Sequence, residues 1–254
     1  YRINKLKYTA FRAMLNVPLF TVHLKLDRAL YNQLITESQT EPQEEIVDTH
    51  NAFRRNVSPP ARNMLKMRYL VLCTVTMPIV RSLQQIYDIA AEEPESKRIS
   101  DTFCGENMHM ENYPSSWSNV IEIWYNESKY FKYGEWPSTD DDIETYHYTQ
   151  MVWASSYLIG CDVASCRRQK AATYLYVCHY CHEGNSQDTL NMPYKEGPPC
   201  QDCPNNCEDG LCTNPCLYYD EYNNCDKQVK LLGCSHPAVR PFCKAFCLCK
   251  TEIK

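Results

Sequence analysis

The chain has 254 residues, a formal net charge of −5 and sixteen cysteines. This length fits one domain of about 150 to 200 residues and a small second one. With 26 basic against 31 acidic residues, the chain lacks the basic surplus of a phosphate-backbone binder, which argues against a nucleic-acid partner. No apolar run of the sequence approaches the ~20 residues that a membrane-spanning helix requires.

Residues 1–38 are predicted to form an irregular leader. Four basic residues precede a moderately apolar stretch at 13–22, whose length fits the hydrophobic part of a secretory signal. Asn16 and Pro18 interrupt that stretch, and no small-x-small cleavage site follows. We therefore expect a mobile or loosely docked segment.

Two helices are predicted next. The range 41–57 has apolar residues near helical spacing, acidic residues near its start, and Arg54 and Arg55 near its end, which suits the helix dipole. The range 115–131 carries a single apolar stripe along about four turns. Its positions are Trp117, Val120, Ile121, Trp124 and Phe131.

Three β-like runs follow the second helix, at 148–153, 158–163 and 173–180. They are rich in Val, Tyr, Thr and Ile and are separated by turn-forming residues. Pro193 and the Gly-Pro-Pro at 197–199 then mark a break in composition that predicts a linker. The pattern as a whole predicts an α+β domain.

Ten of the sixteen cysteines fall in residues 200–254, where branched aliphatic residues are few. A module this small buries too little apolar surface to fold without cross-links, so we expect disulfides and an oxidising, extracellular environment. Zinc is the alternative, because Cys200 and Cys203 have ligand spacing. The irregular gaps between the cysteines, and His236 as the tail's one histidine, favour disulfides.

Three sequence motifs carry a family resemblance: CGEN at 104–107, HYTQMVW at 147–153 and YVCHYCHEGN at 176–185. They resemble the signatures of the CAP superfamily. The tail resembles the cysteine-rich domain of its cysteine-rich secretory protein branch. Within that branch, GENMHM at 105–110 and the three aspartates at 140–142 are most similar to the sperm-coating members of the mammalian epididymis.

The resemblance implies an α-β-α sandwich at 39–192, a linker and hinge at 193–215, and a cysteine-rich domain at 216–254. That last domain is similar to channel-blocking toxins of sea anemones. The implied disulfides are Cys104–Cys181, Cys161–Cys178, Cys200–Cys207, Cys203–Cys212, Cys216–Cys249, Cys225–Cys243 and Cys234–Cys247.

Residues 68–86 depart from the family pattern. Cys73 comes early in this stretch, and Tyr87 and Asp88 stand where the family has a cysteine. The usual partner of Cys166 is therefore missing from its place. Cys73 could substitute for it, or both thiols could be free.

The family's groove holds two histidines and two glutamates. The motif match places Glu106, Glu127 and His147 in that groove, whereas no histidine follows Asp88 in this sequence. The resemblance therefore implies an incomplete metal site that binds Zn²⁺ weakly, with Glu92 or Glu93 as a replacement ligand. A histidine that is simply hydrogen-bonded within a groove is an equally open interpretation of His147.

Three classes of function stay open at this point. The resemblance favours a secreted, non-enzymatic protein that coats sperm, takes part in sperm maturation and sperm–egg interaction, and regulates an ion channel through its cysteine-rich domain. Its partners would be sperm or egg surface proteins, with peripheral association at the membrane. A sterol or lipid carrier and a metal-dependent hydrolase are the alternatives, although no nucleophile elbow or HExxH helix is present in the sequence.

N-glycosylation is expected at Asn56 and Asn126, which begin the acceptor sequences NVS and NES in a chain that passes through the secretory pathway. Mass spectrometry of the two peptides from secreted material, with and without enzymatic deglycosylation, measures it. Unmodified masses at both sites would contradict this prediction and weaken the predicted localisation.

Overall fold

The structure is a computed structural model that describes residues 28–35, 39–70, 98–99, 102–136, 145–168 and 171–254. It has the mixed helix and strand content that the sequence predicts, followed by a disulfide-rich tail. The helices of the described part are α1 (28–34), α2 (Thr40–Arg55), α3 (Trp117–Tyr125), α4 (Tyr146–Met151), α5 (Cys225–Leu232) and α6 (Lys244–Leu248).

A five-stranded sheet forms the centre of the first domain. Its strand order is β1-β4-β5-β3-β2. The β1–β4 pair is parallel, and the other pairs are antiparallel. The strands are β1 (Arg68–Tyr69), β2 (Arg98–Ile99), β3 (Thr102–Glu111), β4 (Leu158–Arg168) and β5 (Ala171–Cys181).

One face of this sheet packs against helices α1 to α4. Alternate residues of β5 point to this face, because successive side chains of a strand face opposite sides. Trp117 of α3 lies edge-on to Tyr176 at 5.2 Å between ring centroids, and His50 of α2 contacts Tyr180. The predicted stripe of α3 is buried from Trp117 to Trp124, which confirms the helical spacing of these apolar residues.

The end of the expected leader is helical and packed, which corrects the prediction for residues 28–35. The Tyr31 hydroxyl donates to the carbonyl of Val163 at 3.3 Å. Leu34 is 7% exposed, and its carbonyl accepts a hydrogen bond from the indole N–H of Trp117 at 2.9 Å. Residues 1–27 and 36–38 lie outside the described residues.

Two local predictions were wrong. The run 148–153 is not extended: its first four residues belong to α4, which ends at Met151, and a turn follows. The helix buries Tyr148 and Met151 against the core, and this packing overrides their β propensity. The predicted helix at 115–131 is α-helical only to Tyr125, and a 3₁₀ turn at Asn126–Tyr130 continues it. No strand was predicted at the position of β3, because its many polar residues hide the alternation of apolar and polar side chains that marks a strand.

The hinge segment packs on the first domain. Leu211 has no exposed surface within the main core, and the backbone N–H of Lys66 donates to the carbonyl of Cys212 at 2.8 Å. The ion pairs Arg55–Asp209 and Arg62–Asp202 measure 2.8 Å and 2.5 Å. Basic side chains of the first domain therefore hold an acidic hinge in place.

Seven disulfides lie in the described part of the chain, and they join the pairs that the resemblance implies. Cys104–Cys181 and Cys161–Cys178 staple the sheet. Two bridges close the hinge and three close the last domain. Cys73 and the side chain of Cys166 lie outside the described residues.

Replacing Cys225 by Ser should unfold the tail and leave the first domain intact. Cys225 and Cys243 are 2% and 0% exposed and close 18 residues of chain, and loss of one native bridge from so small a module costs about 2 to 5 kcal/mol. Limited proteolysis with fragment mass analysis measures it, with Lys227→Ser on the same helix as an exposed control. A mutant tail as resistant as the control would contradict this prediction.

Candidate functional site

His147 and Glu127 form a hydrogen-bonded pair at the start of α4. The Nδ1 of His147 donates to Oε1 of Glu127 at 2.6 Å, and Oε2 of Glu127 accepts the backbone N–H of Tyr148 at 3.0 Å. The ring of Trp124 lies nearly parallel to the imidazole, with 6.2 Å between centroids. With Nδ1 donating to the carboxylate, the Nε2 of a neutral His147 carries a lone pair.

A series of buried hydrogen bonds connects α4 to α2 by way of two residues of the sheet. Asn107 donates to the backbone carbonyl of His147 at 3.0 Å and to the hydroxyl of Tyr180 at 3.3 Å. Tyr180 in turn donates to Nε2 of His50 at 2.9 Å, while Nδ1 of His50 donates to the carbonyl of Ile46 at 2.7 Å. Because every member has a partner, the chain of bonds fixes the position of α4 rather than leaving buried polar groups unsatisfied.

Arg54 fixes the other end of α4. Its guanidinium is 1% exposed, and it donates to five backbone carbonyls at 2.8 to 3.2 Å. Burial lowers its pKa to about 9, so the group is still charged at neutral pH. The five accepting residues are Leu65, Met151, Trp153, Ala154 and Ser156.

Glu106 lies apart from the His147–Glu127 pair. It is paired with His179 across the β3–β5 register, with 2.9 Å between Nε2 of His179 and Oε2 of Glu106. Asn107, the next residue along β3, points to the opposite face of the sheet, toward α4. No local sequence pattern predicts the contact of His179 with Glu106, because only the register of the two strands brings them together.

In the described part of the chain, the ligand atoms of the three predicted residues do not all lie within 4.8 Å of one another. There, the one group of three side chains whose ligand atoms lie within 4.8 Å of one another is Cys200, Cys203 and Cys212. Those sulfurs are bonded in disulfides, so they offer no thiolate to zinc. Glu92 and Glu93, the replacement ligands named above, lie outside the described residues.

The two asparagines of the glycosylation sequons are exposed. Asn56 caps the end of α2 and Asn126 caps the end of α3. Asn126 is followed by Glu127, whose side chain turns toward His147. Both sites are therefore accessible at helix ends.

The chain resembles known proteins over both of its domains. A family model described as the cysteine-rich secretory protein family matches residues 47–180, and another, described as Crisp, matches residues 200–254. Cysteine-rich secretory protein 1 of Macaca mulatta is 54% identical over 238 residues, an alignment that covers 94% of each chain. The chain belongs to the cysteine-rich secretory protein family.

Other similar proteins agree with this family assignment. Human cysteine-rich secretory protein 3 is 43% identical, with 93% of this chain and 94% of that chain covered. Among solved structures, Na-ASP-1 aligns with a TM-score of 0.52 at 24% identity, over 68% of this chain and 47% of its own. This likeness establishes the fold of the first domain.

Acid should destabilise this cysteine-rich secretory protein partly through His50. Burial lowers the pKa of His50 from 6.5 to about 4, so between those values the unfolded chain takes up a proton that the folded chain excludes. Stability should fall by about 3 kcal/mol from this group as the pH drops from about 7 to about 4. Urea unfolding at both pH values measures it. His50→Gln should lose less stability over that interval, and an equal loss in the variant would contradict the assignment.

Zinc binding by this family member should be weak. His147 offers one nitrogen ligand, and the carboxylate of Glu127 beside it already accepts a hydrogen bond from the imidazole. His147→Ala should abolish the weak binding, while Glu106→Ala should leave it unchanged, since Glu106 is held by His179. Isothermal titration calorimetry with Zn²⁺ at pH about 7.5 tests both. Sub-micromolar binding that persists in His147→Ala would place the site elsewhere.

Proposed function

We propose that this protein is secreted, coats sperm, and takes part in sperm maturation and sperm–egg interaction, with regulation of an ion channel through its cysteine-rich domain. Membership of the cysteine-rich secretory protein family supports this, together with 54% identity to a primate cysteine-rich secretory protein 1. The partners are sperm or egg surface proteins, and the association with the membrane is peripheral.

Secretion is supported by the covalent chemistry of the chain. Seven disulfides in the described residues require an oxidising compartment. Among the described residues, no helix is both long and apolar enough to cross a membrane.

The observation that carries the proposal is the exposed apolar surface of the cysteine-rich domain. Leu217, Leu231 and Leu248 are 74%, 82% and 56% exposed. Single exposed leucines are common on soluble proteins, but three of them in so small a domain with little core give it apolar groups that a protein partner would cover. The domain therefore offers a partner several apolar anchors on a rigid frame.

Binding rather than catalysis is favoured by what the sequence lacks around the His147–Glu127 pair. Both carboxylate oxygens of Glu127 accept hydrogen bonds, one from the imidazole and one from the backbone of α4. The basic atom that this pair offers to a substrate is therefore Nε2 of His147. The sequence has no nucleophile elbow and no HExxH helix to accompany it, which argues against the hydrolase alternative.

The test is to apply the purified full-length protein to epididymal sperm and to measure surface binding and cation currents. Wild-type protein should bind and should alter the currents. A variant lacking one staple of the last domain, Cys234→Ala with Cys247→Ala, should leave the currents unchanged, because the cysteine-rich domain loses the bridge that holds its shape. Glu127→Gln should behave as wild type.

Absence of wild-type binding to sperm would overturn the proposed role at the sperm surface. Binding with no change in current by wild type would overturn the channel component alone. Loss of the wild-type effect in Glu127→Gln, with the fold intact, would revive the catalytic alternative.

A further inference from the structure

A groove of about 530 Å³ lies on the cysteine-rich domain. Tyr218 and Leu248 line it with apolar surface, and Arg240 and Lys244 add positive charge. Among the residues that the structure describes, no acidic side chain lines it. Leu248 and Tyr218 are 56% and 47% exposed, so the groove is open to a partner.

The charge of this domain is opposite to that of the rest of the chain. Residues 216–254 hold six Lys or Arg and four Asp or Glu, a formal charge of +2, so residues 1–215 carry −7 to make the total of −5. A small cationic module on an anionic body steers an anionic partner toward the module.

The acidic side chains of the domain are largely engaged within it. Asp220 accepts the backbone N–H of Phe246 at the start of α6, and Glu252 accepts two backbone N–H groups next to it. Asp226 lies 3.8 Å from Lys230 on the same helix. Arg240 is exposed and pairs with no carboxylate of the described residues, so its charge is available to a ligand.

Disulfides hold the groove in shape. Cys234 and Cys247, which line it, are bonded to each other, and Cys216–Cys249 joins the segments that carry Tyr218 and Leu248. A groove fixed before binding loses little conformational entropy when a ligand enters.

We propose that this groove binds an acidic polypeptide segment, in which an apolar side chain enters between Tyr218 and Leu248 and flanking carboxylates contact Arg240 and Lys244. The inference rests on the proposed function and names the chemistry of the partner. A recessed groove with two cations suits a peptide that alternates the two kinds of side chain. A flat membrane surface makes no use of a cavity.

The experiment titrates the full-length protein into a short fluorescent peptide in which glutamates flank leucine, and follows fluorescence anisotropy. The wild-type protein should bind, with an affinity that falls as salt is raised. Arg240→Glu with Lys244→Glu should weaken binding by at least about tenfold, since two attractive charge contacts become repulsive. Arg240→Gln with Lys244→Gln should give an intermediate loss of affinity. This variant removes the two charges without reversing them, so it serves as the test if charge reversal harms folding.

The matched control is Lys227→Glu with Lys250→Glu, which makes the same change of net charge at two exposed positions outside the groove. It should bind the peptide nearly as wild type does. Equal loss in this control and in the groove variants would reduce the effect to overall charge and overturn the site. Equal binding of a peptide with glutamine in place of glutamate would overturn the role of the cations.

Two other outcomes would also overturn the proposal. One is binding to vesicles of phosphatidylcholine and phosphatidylserine that depends on Arg240 and Lys244, with no binding to the peptide. The other is concentration-dependent dimerisation that Arg240→Glu abolishes. If the peptide fails to bind while the wild-type protein still binds sperm and alters currents, the groove inference fails alone and the proposed function stands.

Discussion

The first domain depends on one buried cation. Arg54 extends from α2 and donates to carbonyls of the segment before β1, of the end of α4, and of the turn that leads into β4. One of those carbonyls belongs to Leu65 and the others to residues 151–156, 97 to 102 residues after Arg54 in the chain, and no regular secondary structure satisfies them together. A buried guanidinium is costly to desolvate, so it is stable here only because its N–H groups all meet acceptors. The position of His147 and its helix follows from this arrangement and from the Asn107–Tyr180–His50 chain on the other side.

Much of the fold was readable from the sequence, and the failures have physical causes. The stripe from Trp117 to Trp124 and the strands β4 and β5 were found because their periodicity is strong and their faces are buried. The helix α4 was missed, since Tyr, Thr, Val and Trp favour strands and only tertiary packing makes this run helical. The motif match placed Glu127 and His147 in one groove, and the structure has them hydrogen-bonded to each other. No sequence rule relates Glu106 to His179 without the strand register. The sequence indicates only that Arg54 suits the end of a helix. Its burial cannot be predicted, because a buried arginine leaves no trace in the spacing of the apolar residues around it.

The two domains use charge in different ways. The first domain turns basic side chains toward the acidic hinge, through Arg55, Arg62 and Lys66, and so keeps the hinge packed on its surface. In the last domain Asp220 and Glu252 accept hydrogen bonds from backbone N–H groups of the same domain, whereas cations such as Arg240 and leucines such as Leu231 are exposed. Such a division gives a stable body that carries a small, disulfide-stapled and cationic module.

The free energy of unfolding of Arg54→Lys tests this account most directly. Lysine keeps the charge but has three donors in place of five and no planar fork, so it leaves carbonyls around α4 without partners. Urea unfolding at neutral pH should show a loss of about 3 to 5 kcal/mol relative to wild type. The half-buried neighbour Arg55 keeps its charge opposite Asp209 as lysine, so Arg55→Lys should change little. A loss below about 1 kcal/mol for Arg54→Lys would contradict the central role of this side chain.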